Sequence, residues 1–339
     1  MELIMNNLNV IWFILLCVLF AGFFFLEGFD YGTGILLPVI GKTDVERRQM
    51  INALGPIWDG NEVWMITAGG ALFASFPHVY ATLFSGFYMA LFLMLAVLIM
   101  RGVAFEFRSK SPNRTWRKVF DYCIFIGSIV PALLWGVTVG NLIQGTPIDE
   151  TMTYVGTFWD LLSPYTVLCG VAFILVFTYH GGLFTSLKTA GPVSERARAA
   201  ALVTGVPTAI GVIALIIASY VCTDLYNSTL AIVFCALAVV CFLISWGATR
   251  TRNTKWGFLF SSLSIILITA TYFAGLFPRI MVSSLNPAWS LTITNTSSSE
   301  YTLALMTAVA AVFVPIVLAY QIWVYWIFRH RVTEKDLHY

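Results

Sequence analysis

Apolar residues occur along this chain in long runs that short polar segments separate. A helix needs roughly 20 apolar residues to cross the hydrocarbon core of a bilayer. Nine runs approach or exceed that length, and they centre on residues 10–40, 54–76, 79–100, 119–143, 162–184, 200–222, 228–248, 257–280 and 302–328. The pattern therefore predicts an all-α polytopic membrane protein with nine transmembrane helices.

Composition agrees with this fold class. Of the 339 residues, 59% are hydrophobic and 11% are charged, whereas a soluble domain has roughly 25% charged residues. The first run is too long for a secretory signal and has no small-residue cleavage site. The six cysteines lie in apolar runs without C-x-x-C spacing, so we interpret them as core residues. The net charge of +2 does not indicate a nucleic-acid partner.

The distribution of basic residues predicts the orientation in the membrane. All 19 Lys and Arg residues except Arg279 lie in segments 42–48, 101–118, 188–198, 250–255 and 329–335. These segments share one side of the membrane if nine helices alternate in direction. By the positive-inside rule that side is cytoplasmic. We expect the N-terminus outside, the C-terminus in the cytoplasm and the polar links 144–161 and 281–300 on the outer face.

An internal repeat suggests two similar units. At an offset of 149 residues, Gly32, Glu46, Arg47 and Arg101 correspond to Gly181, Glu195, Arg196 and Arg250. We predict a first four-helix unit over residues 1–143, an outer loop over 144–161 and a second four-helix unit over 162–280. Residues 281–339 are expected to form an outer loop, a peripheral ninth helix and a cytoplasmic tail.

Four carboxylates lie within or beside apolar runs of the first unit, namely Glu27, Asp30, Asp59 and Glu62. Ionisable groups in such segments are costly unless they are paired or wetted, so they are candidates for function. Each pair has i, i+3 spacing, which puts both members on one helix face. The predicted orientation brings these faces and Arg101 into the cytoplasmic third of one bundle.

The repeat provides an internal comparison for the four acids. Their counterparts in the second unit are Val176, Tyr179, Thr208 and Gly211. The fold therefore does not require acids at these positions, and a ladder of carboxylates would suit proton uptake from the cytoplasm. The alternative is that the acids neutralise Arg101 and neighbouring arginines, or that Asp59 favours the helix dipole.

The positions of the four histidines bear on whether this chain could ligate a haem or a metal. A membrane haem bundle needs axial ligands that face each other across helices, and His180 is the one His in a predicted transmembrane helix, while His78, His330 and His338 lie in a hairpin and the tail. We therefore expect no haem or metal ligand in this chain and interpret His180 as a hydrogen-bonded scaffold residue.

Small residues and tryptophans indicate packing. The pairs Gly28 with Gly32 and Gly136 with Gly140 have the spacing of small-residue faces that allow close helix approach. Trp58 is interpreted as an interfacial anchor. Trp64 lies nearly two turns deeper, where it could line a cavity.

Several long motifs together resemble one known family. E-G-F-D-Y-G, K-T-D-V-E-R-R, G-P-I-W-D-G-N-E-V-W, T-A-G-G-A-L-F-A-S-F-P and F-S-G-F-Y-M-A-L-F occur in this order. They resemble subunit II of cytochrome bd quinol oxidase, most specifically over residues 22–110. The resemblance implies a complex in the bacterial cytoplasmic membrane that oxidises quinol and reduces oxygen to water. It also implies that haems b558, b595 and d belong to the partner, subunit I, and that this chain holds no complete active site.

The same resemblance implies roles for individual residues. It places Asp30 and Asp59 in a proton path with Arg101 nearby, and Trp64 beside a hydrophobic oxygen route. The family often has Asp where this chain has Glu27, which keeps the carboxylate. It often has Gln where this chain has Glu62, so the role of Glu62 stays open.

Two other functions remain open from the sequence alone. One is a stand-alone proton-coupled transporter, although an even number of helices in each unit makes the repeats parallel, whereas transporter repeats are usually inverted. The other is a purely structural scaffold subunit with ion-paired acids. The type of quinone, bound lipid or quinone in this subunit and a small accessory subunit also stay open.

Overall fold

The computed structural model describes residues 7–337, so His338 lies outside the described residues. Within this range the chain forms eleven α-helices: α1 (Leu8–Ile40), α2 (Asp44–Leu54), α3 (Trp58–Ser75), α4 (Pro77–Gly86), α5 (Tyr88–Phe107), α6 (Arg114–Gln144), α7 (Pro164–Lys188), α8 (Pro192–Cys222), α9 (Thr229–Arg250), α10 (Thr254–Leu276) and α11 (Glu300–Ile327). Two short antiparallel strands, β1 (Arg279–Met281) and β2 (Leu291–Thr292), precede α11.

Eight helices in residues 7–337 are long and apolar enough to cross a membrane: α1, α5 with the turn that follows it, and α6 to α11. The helix α3 is not among them. It has 18 residues, which span about 27 Å at 1.5 Å per residue, and polar side chains occupy its first turns. The sequence predicts nine transmembrane helices, whereas residues 7–337 contain eight helices of sufficient length and hydropathy, and the difference lies at α3.

Two predicted runs of the first unit are also divided differently. The second run was expected over 54–76, but α2 ends at Leu54 and α3 begins at Trp58. Pro56 lies between them, and a proline lacks the backbone N–H donor and disfavours the helical conformation of the residue before it. The third run is divided at Phe87, which separates α4 from α5.

The helix α1 lies at the centre of the bundle and packs against α3, α6, α7 and α10. Its closest neighbour is α7, because Gly32 and Gly181 meet at the crossing. A Cβ atom built at Gly32 would overlap the Phe177 carbonyl oxygen, and one at Gly181 would overlap the Gly32 backbone. The repeat-related glycines thus allow α1 and α7 to touch backbone to backbone.

A second glycine face joins α6 to α7. A Cβ atom at Gly136 would lie 2.5 Å from the Cys169 carbonyl oxygen, and one at Gly140 would lie 2.9 Å from the Cys169 sulfur. Both predicted small-residue faces therefore mediate close helix contacts within the chain.

Polar contacts gather the basic loops and the tail at one end of the bundle, which we call the basic end. Glu46 in α2 forms an ion pair with Arg196 at the start of α8. Lys188 at the end of α7 donates a hydrogen bond to the Phe328 carbonyl oxygen. The Val332 amide in turn donates to the Lys188 carbonyl oxygen at 2.7 Å. These contacts connect the cationic segments of both units.

The pairing at the basic end affects the ionisation of Glu46. Desolvation opposes the charged carboxylate, but hydrogen bonds from Arg196, Thr43 and Lys42 outweigh it, so the pKa of Glu46 is lowered. Glu46 also completes a capping box with Thr43 at the start of α2. One side chain therefore both begins α2 and bridges the two units.

The two long polar links lie together at the opposite end of the bundle. The Thr146 amide donates to the Val282 carbonyl oxygen at 2.9 Å, and the Ser284 amide donates back to Thr146 at 2.9 Å. The Ser298 amide donates to the carbonyl oxygen of Ser75 at the end of α3, also at 2.9 Å. The links thus form one layer over the ends of α3 and α6.

Candidate functional site

Arg101 on α5 lies at the centre of a buried charge cluster. Its Nη1 atom is 3.1 Å from Glu27 Oε2 on α1 and 3.1 Å from Glu62 Oε1 on α3. The side chains of Arg101 and Glu27 are fully buried, whereas that of Glu62 is 18% exposed. A buried guanidinium is strongly destabilising without a partner, and two carboxylates compensate this one.

Neighbouring rings and a glycine hold Arg101 in place. Its guanidinium carbon is 4.9 Å from the centroid of the Tyr31 ring and 5.3 Å from that of Phe105, within the range of cation–π attraction. A Cβ atom at Gly127 of α6 would lie only 2.5 Å from Arg101 Cβ. Close packing of α5 on α6 therefore fixes the stem of the arginine.

Asp30 belongs to a hydrogen-bonded chain across three helices. The Asn61 amide nitrogen on α3 donates to Asp30 Oδ2 on α1 at 2.7 Å. The Tyr325 hydroxyl on α11 donates to Asn61 Oδ1, also at 2.7 Å. Asp30 and Asn61 are fully buried. The helix α11 thus reaches the acid through a tyrosine and an amide.

Each deeply buried acid keeps one carboxylate oxygen available. Glu27 Oε1 and Asp30 Oδ1 are buried and have no hydrogen-bond partner within residues 7–337, and the same holds for the Tyr31 hydroxyl. Buried polar atoms are nearly always hydrogen-bonded, so exceptions point to function or to a bound group. These oxygens are positions at which a proton could bind.

Asp59 stands apart from the other three acids. It is exposed in the first turn of α3, and it makes no hydrogen bond or ion pair with any residue that the structure describes. It precedes Glu62 by three residues and therefore lies on the same helix face, nearer the basic end. The structure thus brings Glu27, Glu62 and Arg101 into contact and leaves Asp59 at the surface.

Trp64 is fixed between α1 and α11. Its indole nitrogen donates to Gln321 Oε1 of α11 at 2.9 Å. On the other side, a Cβ atom at Gly22 would overlap the indole ring, so glycine is needed there. Trp58, expected to anchor at the interface, is half-buried and packs on Phe105 with ring centroids 5.3 Å apart.

His180 makes only scaffold contacts. Its Nδ1 atom is 2.9 Å from Ser261 Oγ and its Nε2 atom is 3.2 Å from the Phe25 carbonyl oxygen. The ring stacks on Phe258 at 4.8 Å. In the described part of the chain no group of three or more His, Cys, Asp or Glu side chains is placed to hold a metal ion.

Sequence reasoning missed Asn61, Tyr325 and Gln321. Asn61 lies inside the motif G-P-I-W-D-G-N-E-V-W, where a polar amide at the head of an apolar run was a usable signal. Tyr325 and Gln321 lie in an otherwise apolar, exposed helix. Gln321 is also a polar amide, but it is a weaker indication of a buried contact than Asn61. Tyr325 gives no such indication, because tyrosine is common near membrane interfaces.

Comparison with known proteins identifies the family. The family model for cytochrome bd terminal oxidase subunit II matches residues 8–328. This chain belongs to that family. The "Cytochrome bd ubiquinol oxidase subunit 2" of Bacillus subtilis is 40% identical over 334 residues, covering 98% of this chain and 99% of its own. The "Cytochrome bd-I ubiquinol oxidase subunit 2" of Escherichia coli K12 is 40% identical over 365 residues, covering 97% of this chain and 96% of its own.

A solved structure supports the fold. The bd oxidase of Geobacillus thermodenitrificans contains a chain that superposes with a TM-score of 0.74 at 17% identity, covering 95% of this chain and 98% of that one. With its apolar helices and its family, the chain is a multi-pass protein of the bacterial cytoplasmic membrane and a subunit of an oxidoreductase complex.

Proposed function

We propose that this chain supports quinol oxidation and the reduction of oxygen to water in a partner subunit, and that it contributes assembly and proton uptake. The partner is subunit I, which holds haems b558, b595 and d, so no complete active site lies in this chain. The relatives from Bacillus subtilis and Escherichia coli are named as subunits of ubiquinol oxidases, and this chain covers nearly their whole length. The observation that carries the proposal is the buried group of Glu27, Asp30, Glu62 and Arg101.

The proposed arrangement in the membrane has nine spans. The helix α3 would be the second, and α4 with α5 would form the third. The basic end would face the cytoplasm, with the N-terminus outside. The two units would comprise residues 1–143 and 162–280, joined by the outer loop 144–161 and followed by the outer loop, ninth helix and tail in residues 281–339.

The proposed proton route begins at Asp59, which is exposed near the basic end, and continues through Glu62. Arg101 contacts Glu62 and Glu27 at equal distances. When a proton neutralises one of these carboxylates, the other still compensates the guanidinium, so the cluster can pass through both states without leaving a buried cation unpaired. Reduction of oxygen to water consumes protons, so the complex requires a route that supplies them.

The scaffold function has one observation in its favour. Glu27 and Glu62 both pair with Arg101, which is what simple charge neutralisation requires. Asp30 makes no direct ion pair with Arg101 in the described chain, and its hydrogen-bond donor there is the neutral Asn61 amide. Substitutions of Asp30 and Asp59 can therefore distinguish a proton-transfer function from a scaffold function.

The oxygen route at Trp64 is a further part of the proposal. It rests on the family resemblance and on the position of the indole between Gly22 and Gln321, where it separates α1 from α11. Any quinone or lipid in this subunit and any small accessory subunit would be additional partners of the complex.

The experiment uses the complex that forms when this chain is co-expressed with its haem-bearing partner. Asp30→Asn and Asp59→Asn should each lower quinol-driven oxygen consumption by about 10²-fold or more, the usual scale for a lost proton-transfer group, while the haem spectrum stays normal. Glu150→Gln removes an exposed carboxylate at the opposite end and should leave the rate unchanged. If both Asn variants consume oxygen at the normal rate, the proton route is wrong.

Purification distinguishes the oxidase subunit from a stand-alone transporter. A tagged copy of this chain should bring down a haem-bearing partner, and the chain expressed alone should show no haem absorbance. Purification of an active transporter without any haem protein would contradict the assignment as a subunit.

A further inference from the structure

A cavity of about 700 Å³ lies at the basic end, between the link from α1 to α2 and the start of α6. Its lining carries more positive than negative side chains. The cations are Lys42, Arg47, Arg108, Arg114, Arg117 and Lys118. The anions are Asp44 and Asp121. The cavity is separate from the buried cluster around Arg101, whose residues are not part of its lining.

The two acids of the cavity are already fully engaged. Asp121 accepts hydrogen bonds from Arg108 Nε at 2.5 Å and from Arg47 Nη1 at 2.7 Å. Asp44 accepts from Arg108 Nη2 at 3.0 Å and from Arg117 Nη1 at 2.7 Å. Three arginines thus share two carboxylates. These bonds hold the wall of the cavity rigid and still leave an excess of positive charge.

The remaining cations have no anion of their own. The side chains of Lys42, Arg114 and Lys118 make no hydrogen bond or ion pair with the described residues 7–337, and all three residues are exposed. In addition, Arg108 Nη1 is buried without a hydrogen-bond partner in the same part of the chain. The three cations without an anion, together with the free Arg108 Nη1 donor, favour an anion with several oxygens, and phosphate groups have this chemistry.

An apolar surface continues from the cavity along α6. Tyr122 lines the cavity and is 51% exposed. Val119 and Ile126 lie on the same helix face by their spacing, and they are 53% and 40% exposed. Val39 near the end of α1 is 57% exposed. A ligand with a phosphate headgroup and an acyl chain would match this arrangement, in which an apolar strip adjoins a basic cavity.

We propose that this cavity binds the phosphate group of an anionic ligand, and that the ligand is an anionic glycerophospholipid of the surrounding membrane. Lys42, Arg114 and Lys118 contact the phosphate oxygens, while Arg47, Arg108 and Arg117 keep the wall in position. The acyl chains lie along Tyr122 and its apolar neighbours. The same phosphate chemistry could be supplied by inorganic phosphate from solution, and the experiment separates the two sources.

The test uses the intact two-subunit complex in detergent, stripped of native lipid, with bound lipid counted by native mass spectrometry. Phosphatidylglycerol is titrated into wild type, into Arg114→Gln with Lys118→Gln, and into the control Arg252→Gln with Lys255→Gln. Both double variants remove two exposed positive charges at the basic end. Loss of the two cavity cations should weaken binding roughly 30-fold, and the control should bind as wild type does.

Two further ligands complete the test. Phosphatidylcholine carries a neutral headgroup and should bind much more weakly than phosphatidylglycerol in wild type. If inorganic phosphate displaces phosphatidylglycerol and depends on the same two cations, the phosphate site is supported and its source is the solution. Equal binding of phosphatidylglycerol to both double variants, or equal binding of the two lipids to wild type, would overturn the proposal.

Discussion

The two units place the same residue type in opposite environments. Arg101 and Arg250 correspond in the repeat, yet Arg101 is fully buried between Glu27 and Glu62. Arg250 is exposed at the end of α9 and lies over the Trp246 ring at 5.2 Å. A buried cation requires nearby negative charge, whereas an exposed one does not. The repeat therefore keeps an arginine at both positions, but one is buried between carboxylates and the other is exposed.

At two of the four acid positions the repeat places a neutral hydroxyl instead of a carboxylate. Tyr179 occupies the position of Asp30, and its hydroxyl is 2.7 Å from Ser245 Oγ. Thr208 occupies the position of Asp59 and donates to the Leu175 carbonyl oxygen at 3.1 Å. The second unit thus satisfies these positions with neutral hydroxyls. The packing of the helices at these positions therefore does not require a carboxylate.

The largest effect is expected when the buried cation is removed. Arg101→Gln leaves Glu27 and Glu62 facing each other without a compensating charge, which should cost about 3–5 kcal/mol in stability. The yield of haem-containing complex and its thermal midpoint would measure this loss. Arg250→Gln removes the corresponding exposed charge and should change neither. Equal losses for the two variants would remove the distinction between the units.

A smaller effect is expected at the contact that joins the units. Gly32→Ala places a methyl group against the Phe177 carbonyl oxygen, and overpacking of this kind costs about 1–3 kcal/mol. Thermal unfolding of the complex in detergent would show it. Gly247→Ala in α9 meets no atom within 4 Å and should be neutral or slightly stabilising. If the two variants unfold at the same temperature, the stability of the complex does not depend on this close approach.

The link from α11 to the first unit should contribute about 1 kcal/mol. Tyr325→Phe leaves the buried Asn61 Oδ1 without its donor from α11, and an unsatisfied buried acceptor is destabilising. Tyr320→Phe changes an exposed tyrosine of the same helix and serves as the matched control. Unfolding midpoints that agree for the two variants would contradict a structural role for this hydrogen bond.

The smallest effect is expected for Glu62→Gln. The amide oxygen can still accept a hydrogen bond from Arg101, and the fully buried Glu27 still compensates the cation. We expect a stability change below about 1 kcal/mol, less than for Glu27→Gln measured in the same way. The opposite order would show that Glu62, although partly exposed, is the main partner of Arg101.

The features of this molecule that could be predicted from the sequence depend on local patterns of residues. The apolar runs, the glycine faces at Gly32 and Gly136 and the four acids all follow from composition and spacing within one helix. The residues it missed depend on contacts between distant parts of the chain. Tyr325 and Asn61 are separated by 264 residues, and nothing local in α11 indicates their contact.

Asp59 and α3 show a second limit. The apolar pattern predicts a run over 54–76, but the exact start of the helix decides which polar residues are buried. Because α3 begins at Trp58, Asp59 falls in an exposed first turn while Asn61 is fully buried. A shift of two residues in register would put Asp59 in the buried position that Asn61 holds, and helix periodicity alone does not determine the start to that accuracy.

The most direct test of the proton route is the uptake of protons by the reduced complex in vesicles after an oxygen pulse. The wild-type complex and the Asp30→Asn variant would be compared at equal haem content. The variant keeps a side chain of the same shape beside Asn61 but has no carboxylate to protonate. Much slower proton uptake in Asp30→Asn is the predicted result. Uptake as fast as in wild type would contradict a role for the acids of the first unit in delivering protons.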